Sequence, residues 1–260
     1  GSGAFLADFL RLSQKFAKVQ PLICLHEKSL NLRLRQEQIL AKYKVTNYRF
    51  FADFSELPLQ PSFILANEFF DALPIDAYQY HNQAWYERRV TLDKRQELAF
   101  TLGQKIDLKS QLAISDHRPI EAGAIFETSK ISQNYLTALT DFASKTASHG
   151  LIIDYGYLKN PLKPTLQALH RHQMVNPLKN LGEADLTSLI DFARFNHVIS
   201  QKLACQCLKQ KAFLEALGYQ ARLAQLLKTA DKAQRAKLEN AAKRLLDDHQ
   251  MGHNFWLIRF

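Results

Sequence analysis

The chain has 260 residues, 47% of them hydrophobic, and a formal net charge of +9. That supplies enough apolar side chain for one sizeable core or a core with an insertion, and no apolar run approaches the roughly 20 residues that span a bilayer. Three cysteines, Cys24, Cys205 and Cys207, make no disulfide framework, and a C-x-C pair without further ligands is poor zinc spacing, so a reducing compartment and no metal are expected.

Gly1-Ser-Gly3 reads either as a cloning scar or as the back half of a glycine-rich ligand loop, where main chain takes positive φ and a ligand comes against bare backbone. Leu6, Phe9, Leu10 and Phe16 recur at helical spacing and predict a helix over 4–18. Residues 21–27 then form a short apolar run ending in Glu27, the look of a buried parallel strand with a ribose-binding acid at its carboxyl end. Glu27 lies 24 positions after Gly3, near the offset of roughly 20 expected between a glycine loop and that acid, and this favours the loop over the scar. The third glycine of a dinucleotide fingerprint would fall on Leu6, which disfavours nicotinamide and flavin. In the adenosylmethionine version of the doubly wound fold, Gly1 and Gly3 serve as the last two glycines; the first glycine and its acid would lie upstream, so the N-terminal part of the fold is expected to be missing.

Strand signals at 22–26, 48–51 and 62–67, with a helix over 30–43, predict a parallel sheet covered by helices. Glu27, Asp53 and Asn67-Glu68 stand at strand carboxyl ends, where open α/β sheets gather ligands. Residues 77–80 and 84–91 read as a β-hairpin, with a further strand near 97–102. A helical pattern through Ile131, Tyr135, Leu139 and Phe142 stops before Gly150, and a buried strand follows over 151–154. Residues 185–247 read as several helices, with Asp185 as N-cap, the Cys205/Cys207 pair on a helix and a stop at Gly218. A last strand returns over 255–260. The predicted organisation is thus a core over 1–184 with a hairpin insertion at about 76–102, a helical insertion over 185–250, and a final strand over 251–260. Between 202 and 244 ten Lys/Arg face Glu215, Asp231 and Glu239, a surplus of seven. This is either a solvated helix face or a surface for an acidic partner or RNA phosphates; few aromatic side chains stand there to stack bases, so nucleic acid is disfavoured.

The run Leu65-Ala-Asn-Glu-Phe-Phe-Asp-Ala-Leu-Pro-Ile75 is long and specific. Together with Gly1-Ser-Gly3, Trp85-Tyr-Glu-Arg88, Ile153-Asp-Tyr-Gly156, Thr165-Leu-Gln-Ala168 with His172, Gly182-Glu-Ala-Asp-Leu-Thr187 with Asp191-Phe192, and Met251-Gly252, it resembles the MidA-like family of S-adenosylmethionine-dependent methyltransferases. That family is related to the mitochondrial complex I assembly factor that methylates a protein arginine. The resemblance covers essentially the whole chain, departs from the family's Pro-Gly where Leu181 precedes Gly182, and implies a doubly wound, Rossmann-like class I methyltransferase fold. It also implies S-adenosyl-L-methionine as cofactor and a protein substrate, a respiratory complex I subunit or bacterial equivalent. The location it implies is the bacterial cytoplasm, or the mitochondrial matrix if a targeting segment precedes Gly1.

Methyl transfer from a sulfonium needs in-line placement more than covalent help. An arginine acceptor is cationic at any working pH, so carboxylates are needed to grip some nitrogens and leave one to attack. Glu68 and Asp71, three apart after a strand end and before Pro74, are the expected pair. By analogy with related methyltransferases Asn67 holds the amino-acid end of the cofactor, Glu27 the ribose, and Asp53 the adenine region. His172, Asp154 and Asp185 are further candidates for cleft or proton-removing roles. Each has a plainer reading: Asp154 and Asp185 as helix caps, Asp71 as a stabiliser of the Ala-Leu-Pro turn, His172 as a half-buried histidine. RNA or small-molecule methylation, and a non-catalytic assembly role, remain the rival functions.

Overall fold

The computed structural model describes residues 1–16, 21–108, 119–171, 173–248 and 250–260, and these divide into two compact units, Gly1–Gln60 and Pro61–Phe260. In the first unit α1 (Ala4–Phe16) follows Gly3; its i, i+3, i+4 apolar spacing buries Leu10 to 3% exposure. Strands β1 (Ile23–Leu25) and β2 (Tyr48–Phe50) pair in parallel with Leu25 opposite Phe50. The crossover is α2 (Leu30–Lys42), started by Ser29, whose hydroxyl accepts the Leu32 N–H. Both strands therefore end on the same side of their sheet.

The second unit is mixed α/β. Its main sheet contains β3 (Phe63–Asn67), β8 (His149–Tyr157), β12 (Ile190–Asp191), β13 (Gln206–Lys209) and β14 (Phe255–Arg259). Strand β8 is the hub. It pairs in parallel with β3 over 149–153 and with β12 over 156–157, and antiparallel with β14 on its other edge. At Gly156 an added Cβ would stand 2.3 Å from the Ile190 carbonyl oxygen and 2.5 Å from the Phe192 ring, so β12 and the helix after it can approach β8 only because that position is bare. Helix α3 (Lys130–Thr146) buries Leu136, Leu139, Phe142 and Ala143 and packs against α4 (Phe192–Ser200), which buries Phe192, Phe195 and Ile199 and lies on β8, β13 and β14.

A four-stranded antiparallel sheet of β4 (Asp76–His81), β5 (Ala84–Leu92), β6 (Leu98–Ile106) and β7 (Ile125–Thr128) packs around Trp85, Leu108 and Phe126. Its β4–β5 connection puts Asn82 and Gln83 at positive φ, as a two-residue hairpin twisted with its strands requires. The expected hairpin is thus present, with a longer third strand. Short strands β9 (Gln167–His170), β10 (Gln173–Val175) and β11 (Asp185–Thr187) form a third, antiparallel sheet. Helices α5 (Gln210–Ala216), α6 (Tyr219–Thr229), α7 (Lys232–Leu246) and α8 (Met251–Asn254) fill the stretch before β14, and Gly218, at φ 80, separates α5 from α6 as expected.

Two expectations are corrected. Asp185 does not cap a helix: it opens β11, where Leu186 pairs with Ala168, so a cross-strand partner overrides the local capping signal. Cys207 lies in β13 opposite Ile258, not on a helix, because the apolar Phe255–Arg259 strand offers it a ladder; Cys205 precedes that strand. Among the described residues no helix is long and apolar enough to cross a membrane, and no group of three or more His, Cys, Asp or Glu is placed to hold a metal.

Candidate functional site

In the first unit the structure brings Gly1, Gly3 and Glu27 together. Gly3 takes φ +84, and a Cβ there would meet Ile39 at 2.6 Å, so the turn into α1 needs glycine. The Gln36 amide donates to the Gly1 carbonyl at 2.8 Å. The Gly1 nitrogen lies beside the Glu27 carboxylate, which accepts from the Ser29 N–H at 3.0 Å. Burial raises the Glu27 pKa, and the N–H groups of Ser29 and Lys28 act against it. Asp53 follows β2 on the neighbouring strand; it is exposed and caps a 3-10 turn at Phe54–Glu56, with Ser55 N–H and Oγ donating at 2.8 and 2.6 Å, which lowers its pKa. Bare main chain with a carboxylate against it is the arrangement a ribose and its neighbouring groups require, so these residues fit a nucleoside.

In the second unit the loop from Glu68 to Ile75 leaves β3 where β8 runs on beneath it. Four anchors fix its course. Glu68 N–H donates to the Ile153 carbonyl at 2.9 Å. Asp154 Oδ2 accepts from the N–H groups of Phe70 and Asp71 at 3.0 and 3.2 Å, while Oδ1 accepts from Tyr155 N–H at 2.9 Å. Ser188 N–H donates to the Asp71 carbonyl at 2.9 Å. Ser129, the N-cap of α3, donates its hydroxyl to the Pro74 carbonyl at 2.6 Å. The Phe70 ring, 1% exposed, seats the loop edge-on against Phe195, 4.9 Å between centroids.

Held in this way, the loop presents three of the expected side chains. Asn67 and Glu68 are exposed, with the Asn67 amide 3.2 Å from Glu68 Oε1. Glu68 sits at φ 47, a left-handed conformation that costs a residue with a Cβ about 1–2 kcal/mol and that persists where surroundings over-determine it. Asp71 is 5% exposed. Burial first, then the charges of Glu68 and Asp185, raise its pKa, so the exposed Asp185 of β11 stands within electrostatic reach of it. Asp154 is fully buried, and burial followed by the charge of Asp71 drives its pKa upward too. Bonded to N–H groups of the loop and of β8, its carboxylate holds the loop in place. His172 lies outside the described residues.

Two groups went unsuspected in the sequence. The Tyr155 phenol, held up in pKa by burial and then by Glu68, lies over Phe255 with ring centroids 3.8 Å apart. Ser188 is the other. The Asp-Tyr-Gly run pointed to the first of these; nothing local pointed to Ser188, 117 positions from the carbonyl it bonds.

A family model described as "Putative S-adenosyl-L-methionine-dependent methyltransferase" matches residues 1–210. The chain is 28% identical to a Xenopus tropicalis protein named protein arginine methyltransferase NDUFAF7, mitochondrial, over 88% of this chain and 54% of that one. A Danio rerio protein of the same name is 31% identical over 77% of this chain and 47% of its own. The chain thus spans about half the length of the curated relatives it matches. Two crystal structures of Burkholderia thailandensis proteins share its fold at 21% identity, with TM-scores of 0.84 and 0.82; each match covers 100% of this chain, and 71% and 69% of theirs. The second of these contains bound S-adenosyl-homocysteine.

Proposed function

The chain belongs to the family of S-adenosyl-L-methionine-dependent methyltransferases, and from that premise we propose that it acts as a protein arginine N-methyltransferase. The protein substrate in this reading is a respiratory complex I subunit or its bacterial equivalent. The observation that carries the proposal is the pair of carboxylates, Glu68 and Asp71, on a loop pinned at four points beside a third acid, Asp185. A guanidinium is the cationic, planar donor that such a cluster suits. The names of the relatives, at 28% and 31% identity, support the same reading.

We assign Gly1, Gly3, Glu27 and Asp53 to the nucleoside and Asn67 to the amino-acid end of the cofactor. When bound, S-adenosyl-L-methionine supplies a methyl group already activated on a sulfonium. The protein's own task is placement: Glu68 and Asp71 accept hydrogen bonds from two guanidinium nitrogens, leave the third in line, and take up the proton shed as that nitrogen gains its methyl. Asp154 acts through the loop, as a positioning residue. We also read the fold as a doubly wound, Rossmann-like sheet, a reading supported by the parallel pairs β1–β2, β3–β8 and β12–β8. The expected division, a core over 1–184 with a helical insertion over 185–250 and a last strand over 251–260, is narrowed in the same proposal to an insertion made of the helices between β13 and β14, because β11, β12 and β13 fall within 185–209 and pair in sheets.

Incubating the full-length protein with methyl-labelled cofactor and a lysate of its source, then digesting to single amino acids, is expected to place label on arginine. Label on lysine or on nucleic acid instead overturns the assignment. Glu27→Gln should weaken S-adenosyl-homocysteine binding in calorimetry by roughly tenfold, the effect of losing charge-assisted hydrogen bonds to ribose. Unchanged affinity removes Glu27 from the cofactor site.

A further inference from the structure

The β9–β10–β11 sheet exposes apolar side chains on both faces, Leu186 on one and Leu169 with Met174 on the other, and only the second face carries an acid in the same row. Ala168 is fully buried, so its neighbour Leu169 projects the opposite way, and the ladder sets Met174 and Asp185 on either side of Leu169 in one cross-strand row. Leu169 is 42% and Met174 62% exposed. This row is tied to the loop already described: β11 leads into Ser188, whose N–H donates to the Asp71 carbonyl. Just before β9, Thr165 N–H and Oγ1 both donate to the buried Glu127 at 2.8 and 2.6 Å.

Resting on the proposed arginine transfer, we propose that this face is the docking surface for the substrate polypeptide: Asp185 guides the acceptor cation toward Asp71, and Leu169 and Met174 receive an apolar residue beside it. Charge selects that occupant. On a chain of net charge +9, Asp185 stands at one end of the apolar row, and, three residues on, Ser188 N–H donates to the Asp71 carbonyl, which brings that end of the row to the acidic loop. A segment that is both cationic and apolar over adjacent residues matches the row in order as well as in kind.

The test uses the full-length protein and three fluorescein-labelled synthetic peptides with Leu-Arg-Leu, Ser-Arg-Ser or Leu-Lys-Leu at the centre of a Gly/Ser frame. Fluorescence anisotropy is expected to show Leu-Arg-Leu bound about tenfold more tightly than Ser-Arg-Ser, the effect of burying part of two apolar side chains. Leu169→Ser with Met174→Ser should erase that preference, and Asp185→Asn should weaken the Arg and Lys peptides alike. All three replaced side chains are exposed, so melting temperatures should stay near wild type. Equal binding of the Leu and Ser peptides, or an unaltered preference in the double variant, overturns the proposal. So does a concentration-dependent dimer in sedimentation that the double variant dissolves, which gives the face to a second copy. A preference that behaves as expected without any methyl reaching arginine leaves docking intact and sinks the transfer reading.

Discussion

Asp154→Ala is expected to abolish methyl transfer while leaving a folded but less stable protein. The carboxylate accepts from the N–H groups of Phe70, Asp71 and Tyr155, and a buried donor left without a partner costs about 1–3 kcal/mol. Against this stands relief of a burial penalty and of repulsion by Asp71, both of which raise the Asp154 pKa. The net loss in urea unfolding is therefore put at about 2–4 kcal/mol rather than the sum of three orphaned donors. The activity loss, roughly 100-fold or more, follows from geometry, since a displacement of about 1 Å at positioned groups has effects of that order.

The pH dependence separates this role from general packing. A carboxyl whose folded pKa is raised contributes stability that is fully present below its unfolded pKa, near 4, and is lost as pH rises through the folded value. Wild-type stability should accordingly fall as pH climbs from about 4 toward neutrality, and Asp154→Asn, which cannot ionise, should flatten that slope. One amide oxygen can still serve Phe70 and Asp71, so the asparagine variant should also keep more activity than the alanine one. Equal slopes in wild type and Asp154→Asn would show that Asp154 is not the titrating group, and full activity in Asp154→Ala would end its role in holding the loop.

The difference between what was legible in the sequence and what was not tracks the range of the interactions. The Leu65-to-Ile75 run announced a strand end, acids and a proline turn within eleven residues, and Gly218 marked a helix boundary by backbone freedom alone. The anchors that shape the site are not local. Asp154 is 84 positions from Phe70 and Ser188 is 117 from Asp71, and no periodicity carries such pairings. Strands β9 to β11 are three or four residues long and mix polar with apolar side chains, so each lacks an alternation of its own and exists through its ladder. Asp185 was misread for that reason: before Leu186 and Thr187 it has the look of a helix start, and only Ala168 and Leu169 across the sheet decide otherwise.

Glu68→Gln and Asp71→Asn are each expected to lower kcat/KM for methyl transfer by roughly 10²–10⁴-fold, the range for losing a positioned acid–base group, with S-adenosyl-homocysteine affinity nearly unchanged. Asp71 carries the sharper test. Its backbone is committed at both ends, N–H to Asp154 and carbonyl to Ser188, so the amide replacement keeps the loop and changes only charge. Its raised pKa arises from burial and the nearby charges of Glu68 and Asp185, and the arriving guanidinium opposes both by restoring a counter-charge. Substrate binding should therefore release a proton from Asp71 and tighten as pH rises through the raised value. In Asp71→Asn this acid limb of the pH profile should disappear while any residual activity persists. Because the two carboxylates grip one group, the double variant should fall little further than either single one. Turnover within a few-fold of wild type in Asp71→Asn would remove it from the acceptor site, and an acid limb that survives the substitution would show that Asp71 is not the titrating group.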